Sequence, residues 1–183
     1  MKKTIAICAV MFLLSACGAA KTTAKPESTP SSNIGKVPMT CNLDAVNSAF
    51  AKIIPTSKYI DTKWKPAAGT DLFEAINGGG IACSYGDQNA EIGGTVMWTP
   101  NMDGIWDSRV MKWTKDGMIK IDIPNVNEEA AYMLPDGSTS ADGMPAWRVN
   151  LLINGIWIQL GAAFIQSWDE ATPIIDAAIT ASN

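Results

Sequence analysis

The sequence predicts an α+β domain in which helices pack against a largely antiparallel sheet. Two alternating apolar runs flank Asn154-Gly155, a dipeptide typical of a tight β-hairpin. Two further runs, 81–85 and 91–98, also have the period of two expected of strands. Apolar residues at helical spacing lie before, between and after these strands, so helices and strands share one chain.

The first helix is predicted near residue 43. Leu43, Val46 and Phe50 recur at helical spacing, together with Ile53 or Ile54, and Pro55 ends the run. One face of this helix is therefore expected to be buried.

A short second helix is predicted to begin at Asp71. We interpret Asp71 as the N-cap residue, with Glu74 three positions on as its capping partner. The helix is expected to end at Gly78-Gly79-Gly80. This triplet lacks the G-x-G-x-x-G spacing of a phosphate-binding loop, so we interpret it as a chain reversal.

A third helix is predicted after Pro100 and before Asp116-Gly117. Its apolar stripe comprises Met102, Ile105, Trp106, Val110 and Trp113. Asp103 and Asp107 lie on its first turns, where the helix dipole favours acids, so solvated surface is favoured over a metal site. For Trp106 and Trp113, core packing is favoured over a ligand platform.

The hairpin 147–153 and 156–164 has a register set by its two-residue turn. One face carries Ile153–Ile156, Leu151–Ile158, Val149–Leu160 and Trp147–Ala162; the other carries Leu152–Trp157, Asn150–Gln159 and Arg148–Gly161. Trp157 and Leu152 then form an apolar spot on the more polar face. This spot is either covered by a helix or exposed as a contact patch.

The last helix is predicted from one of two starts. Either Ser167 is the N-cap with Glu170 as its partner, or the helix starts at Thr172 with Pro173 in the first position. Its buried stripe comprises Ile174, Ile175, Ala178 and Ile179.

Residues 1–16 have the features of a signal peptide: Lys2 and Lys3, then an apolar run too short to span a bilayer. The following Leu14-Ser15-Ala16-Cys17 closely resembles the bacterial lipobox. This resemblance implies a diacylglycerol on the thiol of Cys17, cleavage before it, and acylation of the new amino terminus. The alternatives are an ordinary secretory signal or a short buried helix. The expected location is the extracytoplasmic face of the cell envelope, anchored to the membrane by lipid.

Residues 17–38 are predicted to be the lipidated cysteine and a flexible tether, because they are nearly free of large apolar residues. Residues 39–183 are predicted to be a single globular domain. In an exported protein, Cys41 and Cys83 are expected to form a disulfide.

Charge and composition exclude several classes of function. The net charge is −4 and there is no basic stripe, so nucleic acid is not an expected partner. The chain contains no histidine, which rules out Ser-His and Cys-His nucleophile systems and histidine-based metal sites. We expect no enzyme, no cofactor and no metal.

The globular part also resembles a known family. It has a Cys-Asn-Leu before the first helix, a Cys-Ser-Tyr strand and the segment 123–130 ahead of later strands. In these features it is similar to actinobacterial cell-envelope lipoproteins that carry a domain of unknown function. That resemblance implies a PsbP-like α/β/α sandwich and brings no catalytic residues.

The seven tryptophans favour a non-catalytic module that binds an apolar or glycan ligand. Its candidate contact residues are Trp157, Leu152, Trp106 and Trp113. The alternative is an accessory protein of an envelope complex, binding a protein partner through the Trp157–Leu152 patch.

Overall fold

A computed structural model describes residues 34–139, 143 and 145–183. The predicted signal peptide, Cys17 and most of the predicted tether lie outside these residues. Among the described residues, no helix combines the length and the apolar character needed to cross a membrane.

The described residues form four helices and one seven-stranded sheet, which confirms the predicted α+β class. The helices are α1 (Asp44–Ala51), α2 (Asp71–Asn77), α3 (Ile105–Lys115) and α4 (Trp168–Ala181). The strands are β1 (Lys58–Ile60), β2 (Ile81–Asp87), β3 (Ile92–Pro100), β4 (Ile119–Ile121), β5 (Ala130–Met133), β6 (Trp147–Ile153) and β7 (Ile156–Ala162). The sheet order is β1-β2-β3-β7-β6-β5-β4, and each neighbouring pair is antiparallel.

Apolar side chains cover both faces of the central strands, so each face requires its own layer of helices. Helices α1 and α4 pack on one face, where Phe50 and Ile174 join the core around Trp98. The indole N–H of Trp98 donates to the carbonyl of Ala178 at 2.8 Å, which links α4 to β3. Helices α2 and α3 pack on the opposite face.

The hairpin of β6 and β7 has the predicted register at all seven pairs. Asn154 and Gly155 both have positive φ, at 50° and 71°, as a type I′ turn requires. Strand β7 ends at Ala162, two residues before the predicted end.

The start of α2 differs from the prediction. Thr70, not Asp71, is the N-cap, and its hydroxyl accepts from the backbone N–H of Phe73 at 3.2 Å. Asp71 is therefore the first helical residue, and its carboxylate is available for contacts outside the helix. The helix ends ahead of the glycine triplet, as expected.

The start of α3 also differs. Asp103 and Gly104 both adopt positive φ, so the helix begins at Ile105 and Met102 precedes it. Met102 is 61% exposed, and its assignment to the buried stripe was wrong. For α4, the first of the two starts is observed, because the Ser167 hydroxyl accepts from the N–H of Glu170.

The disulfide between Cys41 and Cys83 is present and joins the segment before α1 to β2. Upstream of it, the N–H of Gly35 donates to the carbonyl of Asn154, and that of Lys36 donates to Ser182. Gly35 and Lys36, at the end of the predicted tether, are therefore hydrogen-bonded to the folded domain.

Candidate functional site: a groove beside helix α2

The four predicted contact residues lie together between α3 and the sheet: Trp106 and Trp113 belong to α3, and Leu152 and Trp157 belong to β6 and β7. Trp113 is at the centre, with ring centroids 5.1 Å from Trp106 and 5.3 Å from Trp157. All four, including Leu152, are buried between α3 and the sheet. The core interpretation of Trp106 and Trp113 is confirmed, and the exposed alternative for Trp157 and Leu152 is wrong. These four residues are therefore part of the packed layer between α3 and the sheet and do not form an exposed contact patch.

A polar network runs through this apolar layer from Asp71. The Asp71 carboxylate accepts from a guanidinium N–H of Arg109, from the indole N–H of Trp113 at 3.0 Å and from the amide of Gln159 at 2.9 Å. The Gln159 amide also donates to the side-chain oxygen of Asn150 at 2.7 Å. Because both N–H groups of Gln159 are bound, its side chain is held in one orientation.

An open groove of about 750 Å³ lies on the same face of the sheet, beside α2. Its floor follows one cross-strand row through β1, β2, β3, β7 and β6, in the order Ile60, Ser84, Thr95, Gly161 and Arg148. Met97 and Gln159 form the next row toward α3. Small residues in the middle of the first row leave the space above them open.

Gly161 shows this most directly. A Cβ added at this position would meet no atom within 4 Å, and the backbone of Gly161 does not have positive φ. The groove floor is therefore open where a side chain would normally stand. A larger residue at this position would fill the groove without straining the backbone.

Two apolar side chains form part of the groove wall. Trp64 and Leu72 flank the groove, and the indole N–H of Trp64 is fixed by the carbonyl of Ala82 at 2.8 Å. The hydroxyl of Thr62 lies 3.0 Å from that of Ser84, at the β1 side. Apolar walls with a few fixed polar groups are characteristic of small-molecule sites.

A second cavity of about 300 Å³ adjoins the groove and shares Leu72, Gln159 and Arg148 with it. Arg148 is 44% exposed, and its guanidinium lies 3.9 Å from the Asp71 carboxylate. The positively charged side chain of Arg148 therefore lies where the two cavities meet.

The opposite end of the groove carries acids. Asp87 and Glu91 line it near the turn between β2 and β3. The hydroxyl of Thr56 and the backbone N–H of Asn89 lower the pKa of Asp87, so this carboxyl is ionised at neutral pH. The groove is thus acidic at its β2 end and basic at its β6 end.

Among the described residues, no group of three or more Cys, Asp or Glu side chains has the arrangement of a metal site. No family model, curated protein or solved structure matches the chain. The relationship to the PsbP-like sandwich therefore stays a prediction.

Sequence reasoning did not identify the groove, although one signal was visible. The pair Arg148–Gly161 was correctly placed on the more polar face of the hairpin. A glycine opposite an arginine in the middle of a sheet indicates space beside a charge. The coverage of that space by α2 and α3 could not be read from the hairpin alone.

Proposed function

We propose that this protein is a lipid-anchored module of the cell envelope that binds an apolar or glycan ligand in the groove and does not catalyse a reaction. The observation that carries the proposal is the groove of about 750 Å³ with Gly161 in its floor. This volume lies within the range typical of small-molecule sites, about 300–1,000 Å³.

Binding is favoured over catalysis by the chemistry of the floor. Ser84 and Thr95 supply hydroxyl groups, but the chain has no histidine to activate them. The Ser84 hydroxyl instead lies within hydrogen-bond distance of the Thr62 hydroxyl. These groups are suited to hold a ligand by hydrogen bonds.

Two observations support the location. Leu14-Ser15-Ala16-Cys17 has the pattern of a lipidation site, and two acyl chains on one cysteine suffice for stable anchoring. The Cys41–Cys83 disulfide is typical of proteins in oxidising compartments.

The experiment fills the groove by Gly161→Leu in the purified full chain. Wild-type protein is screened by tryptophan fluorescence against short-chain diacyl phospholipids and oligosaccharides of two to six sugars. We expect at least one probe to shift the emission, because Trp64 flanks the groove, and we expect Gly161→Leu to abolish that shift. Urea unfolding should show that Gly161→Leu is folded.

The matched control is Ala68→Leu, which places the same leucine side chain at an exposed position outside the groove lining. It should bind as the wild type does. Absence of any shift across both probe classes, or a shift that persists in Gly161→Leu, would contradict the proposal.

A further inference from the structure

We propose that the ligand of the groove is a sugar carrying one anionic substituent, a carboxylate or a phosphate, which binds Arg148. This inference rests on the proposed function and narrows it to one ligand class. It follows from the polarity of the floor and from the distribution of charge around Arg148.

The floor favours a ligand with many hydroxyl groups. Ser84 and Thr95 are directly paired across β2 and β3, so their hydroxyls stand side by side, half-buried. The fixed amide of Gln159 lies in the adjoining row. A purely apolar ligand would remove the hydroxyls of Ser84 and Thr95 from water without offering them hydrogen bonds, which is unfavourable.

The wall favours a ring with an apolar face. Trp64 is half-buried at the side of the groove, and its N–H is already bound by Ala82. What the Trp64 side chain offers a ligand is therefore its carbon surface. A sugar combines hydroxyl groups at its edge with C–H groups on its faces, and so matches both the floor and this wall.

The charge around Arg148 favours an anion. Asp71 is engaged by Arg109, Trp113 and Gln159, whereas Arg148 lies 3.9 Å away, beyond a normal hydrogen bond. Two guanidinium groups thus share one carboxylate, which leaves one positive charge uncompensated among these three side chains. Arg148 lines the groove and is partly exposed, so a ligand can reach it.

Among the residues that the structure describes, the acids that line the groove determine at which end an anionic group binds. Asp87 and Glu91 repel an anion from the β2 end, and β2 lies three strand spacings, roughly 14 Å, from β6. The anionic group should therefore lie at the β6 end. Lys112, which lines the second cavity, is paired with Asp116.

The test uses calorimetry on the full chain with three probes of equal length: a neutral oligosaccharide, one ending in a uronic acid, and one carrying a phosphate. We expect at least one anionic probe to bind more tightly than the neutral one, and added salt to reduce the difference. The relative affinity of the uronic-acid probe and the phosphate probe shows whether the anionic group is a carboxylate or a phosphate.

Arg148→Gln should weaken binding of the preferred anionic probe by roughly ten- to a hundredfold, the loss of a charge-assisted hydrogen bond, and leave the neutral probe unchanged. Arg148→Lys, which keeps the charge, should retain part of the preference. Lys112→Gln is the matched control and should bind as the wild type does.

Equal affinity of wild type for neutral and anionic sugars, with both lost in Gly161→Leu, would overturn the role of Arg148 while the groove remained the binding site. Binding of phospholipids but of no sugar would overturn the ligand class alone. Failure of all probes in both assays would overturn the proposed function as well.

Discussion

Asp71 at the start of α2 and Arg109 in the middle of α3 form an ion pair whose side chains are only 9% and 7% exposed. A second guanidinium N–H of Arg109 donates to the carbonyl of Gly69, in the loop before α2. The pair therefore joins two helices that cover one face of the sheet. It also holds Gln159, which lies in the floor of the groove.

Breaking this pair should strongly destabilise the fold. Arg109→Ala removes the hydrogen-bonded counter-charge of the buried Asp71 carboxylate and leaves it only the guanidinium of Arg148, 3.9 Å away, which should lower the free energy of unfolding by about 3–5 kcal/mol. Urea denaturation measures the change. Asp71→Ala and the double variant complete a cycle in which the double variant should lose less than the sum of the two.

The control for this cycle lies on the same helix. Lys112 and Asp116 form an ion pair whose side chains are about half exposed, so Lys112→Ala should change stability by less than about 0.5 kcal/mol. Equal losses for Arg109→Ala and Lys112→Ala would contradict the importance assigned to burial.

The disulfide should contribute substantially to stability. Cys41 and Cys83 are 42 residues apart, and closing a loop of that length contributes about 4 kcal/mol in the chain-entropy model. The variant Cys41→Ala/Cys83→Ala should unfold at correspondingly lower urea concentration. A reductant should destabilise the wild type but not the variant. If the wild type were equally stable with and without the reductant, the prediction would be wrong.

Stability should fall in alkaline solution because of Tyr85. Its hydroxyl is buried and donates to the carbonyl of Cys41 at 2.8 Å. Burial, and secondarily the charge of Tyr59, raises the pKa of Tyr85 far above its ordinary value. The unfolded chain therefore loses this proton near pH 10 while the folded chain keeps it.

The stability that Tyr85 contributes is thus fully present below about pH 10 and is lost as the pH rises toward the folded pKa, by up to about 1.4 kcal/mol per pH unit. Urea midpoints between pH 8.5 and 11 measure this slope. Tyr85→Phe should have a shallower slope. Parallel slopes for the two proteins would rule out Tyr85 as the cause.

Lipidation predicts a specific chemical difference between two cysteine variants. Cys17→Ala should remain unmodified and move from the detergent phase to the aqueous phase in a detergent-partition assay. Cys8→Ala, which changes the predicted signal peptide but not the lipidation site, should remain in the detergent phase. Mass spectrometry of native protein should find a diacylglycerol on Cys17, and an unmodified thiol there would contradict the anchoring proposal.

The hairpin could be predicted pair by pair because two independent constraints agree. Asn154-Gly155 selects a two-residue turn, and the apolar alternation selects the same register. The edge strands β1 and β4 offered no comparable signal. Each has only three residues, which is too short for a period of two to be recognised.

The misassignment of Asp71 has a local cause. Thr70 and Asp71 are adjacent and both residue types favour the N-cap position, so the sequence alone could not choose between them. Which of the two residues is the N-cap determines the polar network beside the groove. Only a carboxylate that does not cap its own helix can accept a hydrogen bond from Arg109 on another helix. A contact between residues so far apart in the chain produces no pattern in the sequence around either residue.

The groove could not be predicted for a related reason. The sequence identified the more polar face of the hairpin but not which part of it the helices would cover. Trp157 and Leu152 lie under α3, whereas Gly161 and Arg148, farther along the same face, lie outside its cover. The extent of a helix on a sheet depends on contacts between distant elements.

The hydrogen bonds of Gly35 and Lys36 have a practical consequence for measuring affinity. They attach the amino-terminal segment beside Asn154, at one end of β7, whereas the groove lies toward Gly161 near the other end. Strand β7 is roughly 20 Å long. Copies immobilised on a biosensor chip through their amino terminus should therefore keep the mouth of the groove accessible and show the same dissociation constant as copies free in solution.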